Sequence, residues 1–279
     1  MKSIVWVHRY GENLASYRYR ARIPSQEVAK IKGYKTALND GEADIVVFSK
    51  PSAAELPMAR QAKIDGAKII VDFADDHFQR DDTYHQFAGL ADGIVCASDI
   101  MRGRIYDYVG KESVAIPDPY EQEEQAPHAD GNDFLWFGHI GNWREVEMAS
   151  QFMGSRKMRV VTGPQPLPGV IPWSPENIKQ ALSVSNIVIL PTIKGRDHTS
   201  PNRLINSIRA GCFPVCMEHP AYAEFRKMVW VGNFPTGLRW ADAFKHDLNE
   251  LIGVAQDYIR DRYSPESIGA QWAKVLENV

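Results

Sequence analysis

Short apolar runs of strand length alternate along this chain with segments of helical spacing. Ser3–His8, Asp44–Ser49, Lys68–Phe73, Gly93–Ala97 and Ser113–Ile116 read as strands, with helical segments expected at 25–32, 52–65, 83–90 and 99–109 between them. Near-continuous Val/Ile runs are what a strand needs when both faces of its sheet are covered, and strands that alternate with helices form βα units around a parallel sheet. The alternation pauses at Tyr120–Asn132, which is polar, acidic and without period, and then restarts. Phe134–Gly138, Met158–Val161, Asn186–Leu190, Phe213–Met217 and a short Val229–Val231 follow as strands, with helices expected at 145–153, 176–183, 240–260 and 265–277. The fold class implied is α/β, with two Rossmann-like domains facing a cleft. They cover residues 1–122 and 123–260, and 261–279 forms a terminal helix. Ligands of open parallel sheets bind beyond the carboxyl ends of the strands, so the loops there are the places to look for chemistry.

Composition narrows the function classes. With 279 residues and a net charge of −3, the chain has no electrostatic case for a nucleic-acid partner. Cys96, Cys212 and Cys216 lie in or beside apolar strand-like runs, odd in number and without zinc spacing, so buried reduced thiols are expected and no metal site. No run approaches the ~18 apolar residues of a membrane span, and the apolar stretch of MKSIVWVHRY is too short for a secretory signal. A cytoplasmic protein with at most peripheral membrane contact is expected. The sequence sets no oligomeric state.

The most informative segment is 186–220, a strand, loop, helix and strand in succession. Its loop, Thr192–Thr199, carries Lys194, Arg196 and His198. Ser200 suits a helix N-cap and Pro201 the first helical position, while Leu204, Ile205 and Ile208 share one face and Gly211 ends the helix. Arg203 therefore falls in the first turn, where the helix macrodipole disfavours a cation. An anion held between Arg203 and the free first-turn amides would reverse that preference; the alternative is a solvated surface arginine or one paired with an acid elsewhere in the chain.

The stretch SPNRLINSIRAGCFPV resembles the donor-binding signature of GT-B glycosyltransferases, in the large group that includes glycogen synthase and sucrose synthase. The family pattern there is a glutamate, seven residues, a second glutamate, and a small-residue helix ending in Gly-x-Pro-Val. In this chain Gly211-Cys212-Phe213-Pro214-Val215 carries the ending with one extra residue, Asn206 stands at the second glutamate and His198 at the first. Phe137-Gly138-His139-Ile140-Gly141-Asn142 is similar to the glycine turn that approaches the donor phosphate in these enzymes, with Arg144 the nearest match to the basic residue after it. SYRYRARIP, VDFADDHF and AIPDP are similar to stretches of bacterial sugar-transfer proteins.

The resemblance implies a minimal bacterial- or phage-type GT-B glycosyltransferase. Such an enzyme moves a sugar from a nucleotide-sugar donor to a glycan or lipid-linked acceptor, in polysaccharide biosynthesis, without a bound metal or other cofactor. It also implies a terminal helix that packs back on the first domain. Donor contacts are then expected from Gly138, Gly141, Asn142, Arg144, Lys194, Arg196, Ser200, Asn202, Arg203 and Asn206, which would stabilise the charge growing on the nucleoside diphosphate. Asp75, Asp76 and His77 follow the third strand of the first domain and, with His198, are the catalytic candidates; one of the first three would serve as base if the reaction inverts. Tyr17, Arg18, Arg20 and Lys50 are expected on the acceptor side, the arginines toward a charged acceptor. Replacement of both family glutamates leaves open a nucleotide- or glycan-binding relative without turnover, and the same two-domain fold also fits a nucleotide-sugar epimerase. His8-Arg9-Tyr10-Gly11 lacks the G-x-G-x-x-G turn of dinucleotide enzymes.

Overall fold

The computed structural model describes residues 1–12, 14–163, 169–192 and 198–279. The chain divides into two units, the first holding Met1–Pro119, His198–Ser200 and Arg262–Val279, the second Tyr120–Asp197 and Pro201–Asp261.

In the first unit β1 (Lys2–Val7) leads into α1 (Ala15–Tyr17), a π-helical turn (Arg18–Arg22) and α2 (Ile23–Ala29), then β2 (Tyr34–Leu38), β3 (Ile45–Ser49), α3 (Leu56–Ile64), β4 (Lys68–Phe73), α4 (Thr83–Leu90), β5 (Gly93–Cys96), α5 (Asp99–Val109) and β6 (Val114–Ala115). The described strands form one sheet in the order β2-β1-β3-β4-β5-β6, and each recorded pairing is parallel. β3 is buried along its whole length and β4 at all but its first residue, as their Val/Ile runs require. Ser98 caps α5 by accepting from the Met101 amide at 3.2 Å, as its position implies.

The second unit runs β7 (Phe134–His139), α6 (Trp143–Met153), β8 (Met158–Gly163), β9 (Ile171–Pro172), α7 (Pro175–Ser183), β10 (Ile187–Leu190), α8 (Asn202–Arg209), β11 (Phe213–Cys216), β12 (Trp230–Val231), α9 (Phe234–Ala243) and α10 (Leu248–Arg262). Its described sheet has the order β12-β11-β10-β7-β8-β9, again parallel in each recorded pairing. The final helix, α11 (Pro265–Glu277), belongs to the first unit, where Ile268, Trp272, Val275 and Leu276 enter the core with Ile4, Trp6, Val28 and Ile70.

Several local expectations are corrected. Between β1 and α2, where the spacing predicts no helix before residue 25, the chain is helical from Ala15, with Tyr17, Arg18, Tyr19 and Arg20 buried. The helix expected over 240–260 is broken at Phe244, where a 3-10 turn (Lys245–Asp247) separates α9 from α10. Ser200 does not cap α8: the N-cap is Pro201, with no side-chain cap, and the Ser200 hydroxyl accepts from the Asp118 amide at 3.3 Å. The acidic stretch after Tyr120 is fastened to the second unit. The Gln125 amide donates to the Arg209 carbonyl at 2.9 Å, the His128 amide to the Gly211 carbonyl at 2.9 Å, and the Arg209 guanidinium lies 4.2 Å from the centre of the Tyr120 ring. Gly211 permits this approach: at φ +82° a Cβ there would lie 2.4 Å from the Ala126 carbonyl oxygen.

Candidate functional site

In the second unit two turns converge at the carboxyl ends of β7 and β10. The first is Gly138–Asn142. His139 Nδ1 accepts the Gly141 amide at 3.0 Å and so caps the 3-10 turn Ile140–Asn142 that opens α6. A Cβ on Gly138 would lie 3.0 Å from the Trp136 ring and 3.3 Å from Arg203 Nη1, so the lack of a side chain at 138 makes room for the arginine of the second turn.

That arginine has an acid as its partner. Arg203 Nη1 donates to Glu145 Oε2 at 2.8 Å and Nη2 to Oε1 at 3.3 Å, while Nη1 also reaches the Phe137 carbonyl at 3.4 Å. Glu145 stands in the first turn of α6, where the dipole favours a carboxylate, and accepts a further hydrogen bond from Trp136 Nε1 at 3.2 Å. The Glu145 side chain is 2% exposed and that of Arg203 20%. Burial pulls the guanidinium pKa down, but the Glu145 carboxylate outweighs it and keeps Arg203 charged. Cys216 and Tyr222 pack nearby, both pushed up by burial. Nothing in the sequence marked Glu145: an acid in a first helical turn reads as an ordinary dipole complement.

The other donor-side candidates are placed unequally. Asn202 and Arg203 open α8, and Arg144 is exposed on the first turn of α6. Asn206 is buried, and its Oδ1 accepts the Glu121 amide at 3.3 Å. Ser200 belongs to the first unit. Lys194 and Arg196 lie outside the described residues.

In the first unit the carboxyl ends of β3, β4 and β5 gather a second polar group. Lys50, held at φ +51°, a left-handed conformation uncommon for a side chain that is not glycine, places Nζ 2.5 Å from Asp75 Oδ2. Burial pushes the Asp75 carboxyl up, and Lys50 with His77 and His198 outweighs it, so it titrates below its ordinary value. Arg104 Nη1 donates to Asp76 Oδ2 at 2.7 Å and lies 3.1 Å from His198 Nδ1, and Ser98 Oγ donates to the His198 carbonyl at 2.8 Å. The His77 ring packs at 5.4 Å on Tyr84, and burial lowers its pKa. The contacts form two groups, Lys50 with Asp75 and Arg104 with Asp76 and His198, and His77 packs on Tyr84 beside them.

The structure does not bring the arginines expected to meet an acceptor there. Arg20 is 1% exposed, donating to Asp72 through Nε at 3.0 Å and Nη2 at 2.5 Å and to the Ile116 carbonyl through Nη1 at 2.5 Å. Ser49 Oγ donates to the same Asp72 at 2.9 Å, and the Arg20 guanidinium lies 5.9 Å from the Trp272 ring centre. Arg20 therefore ties β4, the segment after β6 and α11 together. Arg18 is also buried, with Nη1 donating to the Glu12 carbonyl at 2.7 Å, and Tyr17 packs at 5.5 Å on His8. Among the described residues no His, Cys, Asp and Glu side chains gather as a metal site.

No family model and no curated protein matches this sequence. Solved structures do. HepE of Anabaena in complex with UDP superposes with a TM-score of 0.73 at 11% identity, covering 100% of both chains. The chain has the GT-B fold. An E. coli trehalose-6-phosphate protein bound with UDP-2-fluoro glucose aligns over 99% of each chain with a TM-score of 0.68 at 9% identity. An alpha1,3-fucosyltransferase with GDP aligns over 99% of this chain and 90% of its own at a TM-score of 0.53 and 10% identity. Among the described residues no helix is long and apolar enough to cross a membrane.

Proposed function

We propose that this protein is a glycosyltransferase that takes its sugar from a nucleotide-sugar donor, whose diphosphate lies at the Gly138–Asn142 turn and Arg203 of the second unit. The observation that carries this reading is the convergence of a glycine turn, a helix N-terminus and an arginine at the carboxyl end of a parallel sheet. GT-B neighbours solved with UDP, a UDP-sugar or GDP support it. Bond cleavage in such a donor leaves charge on the departing diphosphate, and Arg203, Arg144 and the first-turn amides of α8 are the groups available to stabilise it. Asp75, Asp76 and His77 supply hydrogen-bonding groups for the acceptor hydroxyl on the first unit. The reaction needs no bound metal on this account.

One observation favours a second reading, a nucleotide-binding relative without turnover. His198 and Asn206 stand where the GT-B resemblance places two glutamates, and both are held by protein partners, Arg104 for the first and the Glu121 amide for the second. A thermal-shift panel of UDP, GDP, ADP, CMP and TDP with their sugar conjugates tests the common premise. A ligand at 100 times its Kd adds about 2.7 kcal/mol of stability. A shift with one base family supports a donor site, and release of nucleoside diphosphate from the matching sugar conjugate then separates the enzyme from the silent binder. No shift with any nucleotide contradicts both readings.

A further inference from the structure

We infer that Glu145 is a positioning residue for the donor diphosphate: it fixes the plane of the Arg203 guanidinium so that the opposite edge is presented to phosphate oxygens. The inference rests on the proposed donor site.

A guanidinium has two edges that can grip two oxygens at once, an end edge formed by Nη1 and Nη2 and a side edge formed by Nε and Nη2. Glu145 takes the end edge with both oxygens, at 2.8 and 3.3 Å. The Phe137 carbonyl takes another hydrogen of Nη1 at 3.4 Å. Among the described residues nothing accepts from Nε, and the side chain is 20% exposed. The side edge is therefore the edge of Arg203 that no described protein acceptor occupies, with a fork geometry that suits phosphate.

Glu145 is itself immobilised. It is 2% exposed, anchored by Trp136 Nε1 at 3.2 Å and seated on the first turn of α6. A carboxylate this close to an anion site opposes anion binding by Coulomb repulsion. It is productive there only if the orientation it imposes is worth more than the charge it cancels.

These two effects have opposite signs in one variant. Glu145→Gln keeps the side-chain volume and one acceptor but releases the guanidinium from its two-point grip. If orientation dominates, affinity for UDP or GDP, whichever the wild-type protein binds, falls about tenfold, the worth of one charge-assisted hydrogen bond. In an Arg203→Lys background, where no fork exists to orient, the same change has little effect. Titration calorimetry on the four proteins reads both results. Unchanged or tighter binding in Glu145→Gln overturns the inference and leaves the donor site standing, as does an equal loss in the Arg203→Lys background. No nucleotide binding by the wild-type protein overturns the donor site and this inference together. Should Glu145→Gln not fold, Trp136→Phe removes the anchor while retaining the pair, and a severalfold loss of affinity is expected; affinity equal to wild type then overturns the proposal.

Discussion

Replacing Arg203 by alanine strands a carboxylate. Glu145 is 2% exposed and keeps only the Trp136 Nε1 hydrogen bond, so the carboxylate loses its charge partner while most of its surface stays out of water. Breaking a buried ion pair on one side costs about 3–5 kcal/mol. With Arg203 20% exposed, the pair is partly hydrated already, and the lower end, about 3 kcal/mol, is expected. At about 2–4 °C per kcal/mol this lowers Tm by roughly 6–12 °C. The double variant Arg203→Ala with Glu145→Gln removes both charges and regains most of the loss, a coupling of about 2 kcal/mol. Glu145→Gln alone costs less than Arg203→Ala, because the partly exposed guanidinium can turn toward water. Urea denaturation followed by tryptophan fluorescence measures all four chains. A loss below about 1 kcal/mol in Arg203→Ala, or single effects that simply add in the double variant, would refute the reasoning.

Three further expectations are independent of the donor site. Gly211→Ala forces a Cβ to within 2.4 Å of the Ala126 carbonyl at φ +82°, and should cost at least about 2 kcal/mol in a urea titration, since the left-handed conformation alone costs roughly 1–2. Burial holds the His8 imidazole below its ordinary value of 6.5, so the unfolded chain binds its proton more readily. Its contribution is complete above pH 6.5 and is lost as pH falls from there to the folded value, and His8→Gln should flatten that part of the stability profile measured by denaturation across pH 5–8. Burial raises the Cys96 and Cys212 thiols to about 11 and about 12, so native protein should react with a thiol reagent far more slowly at pH 8 than the same chain in denaturant.

The strands that cross the middle of each sheet were legible because burial on both faces leaves a continuous apolar run, as in Ile45–Ser49 and Ile187–Leu190. β2 was not, since Tyr34–Leu38 alternates half-buried and exposed positions at the sheet edge and mixes Lys35 and Thr36 into the run. β9 is a two-residue pairing inside a proline-rich stretch, too short for any period to register. Arg18 and Arg20 show a different limit. Two arginines and two tyrosines in succession carry no apolar run that marks a buried helix, and the interior is acceptable to Arg20 because Asp72, 52 positions away, and Asp118 pair with it and the Ile116 carbonyl accepts from it. The same limit hid Glu145, whose partner lies 58 positions further on. Sequence spacing placed Arg203 at the start of its helix, where the dipole disfavours a cation. A carboxylate of the same unit offsets the charge, and this converts Arg203 from a bare cation into an oriented fork.

Hydrogen exchange measured with and without saturating nucleotide tests the donor site most directly. UDP or GDP, whichever stabilises the protein in the thermal-shift panel, should slow exchange in the amides of 138–145 and of 202–206. Protection confined to residues of the first unit, or none in these two segments under conditions where the nucleotide raises Tm, would contradict the donor site.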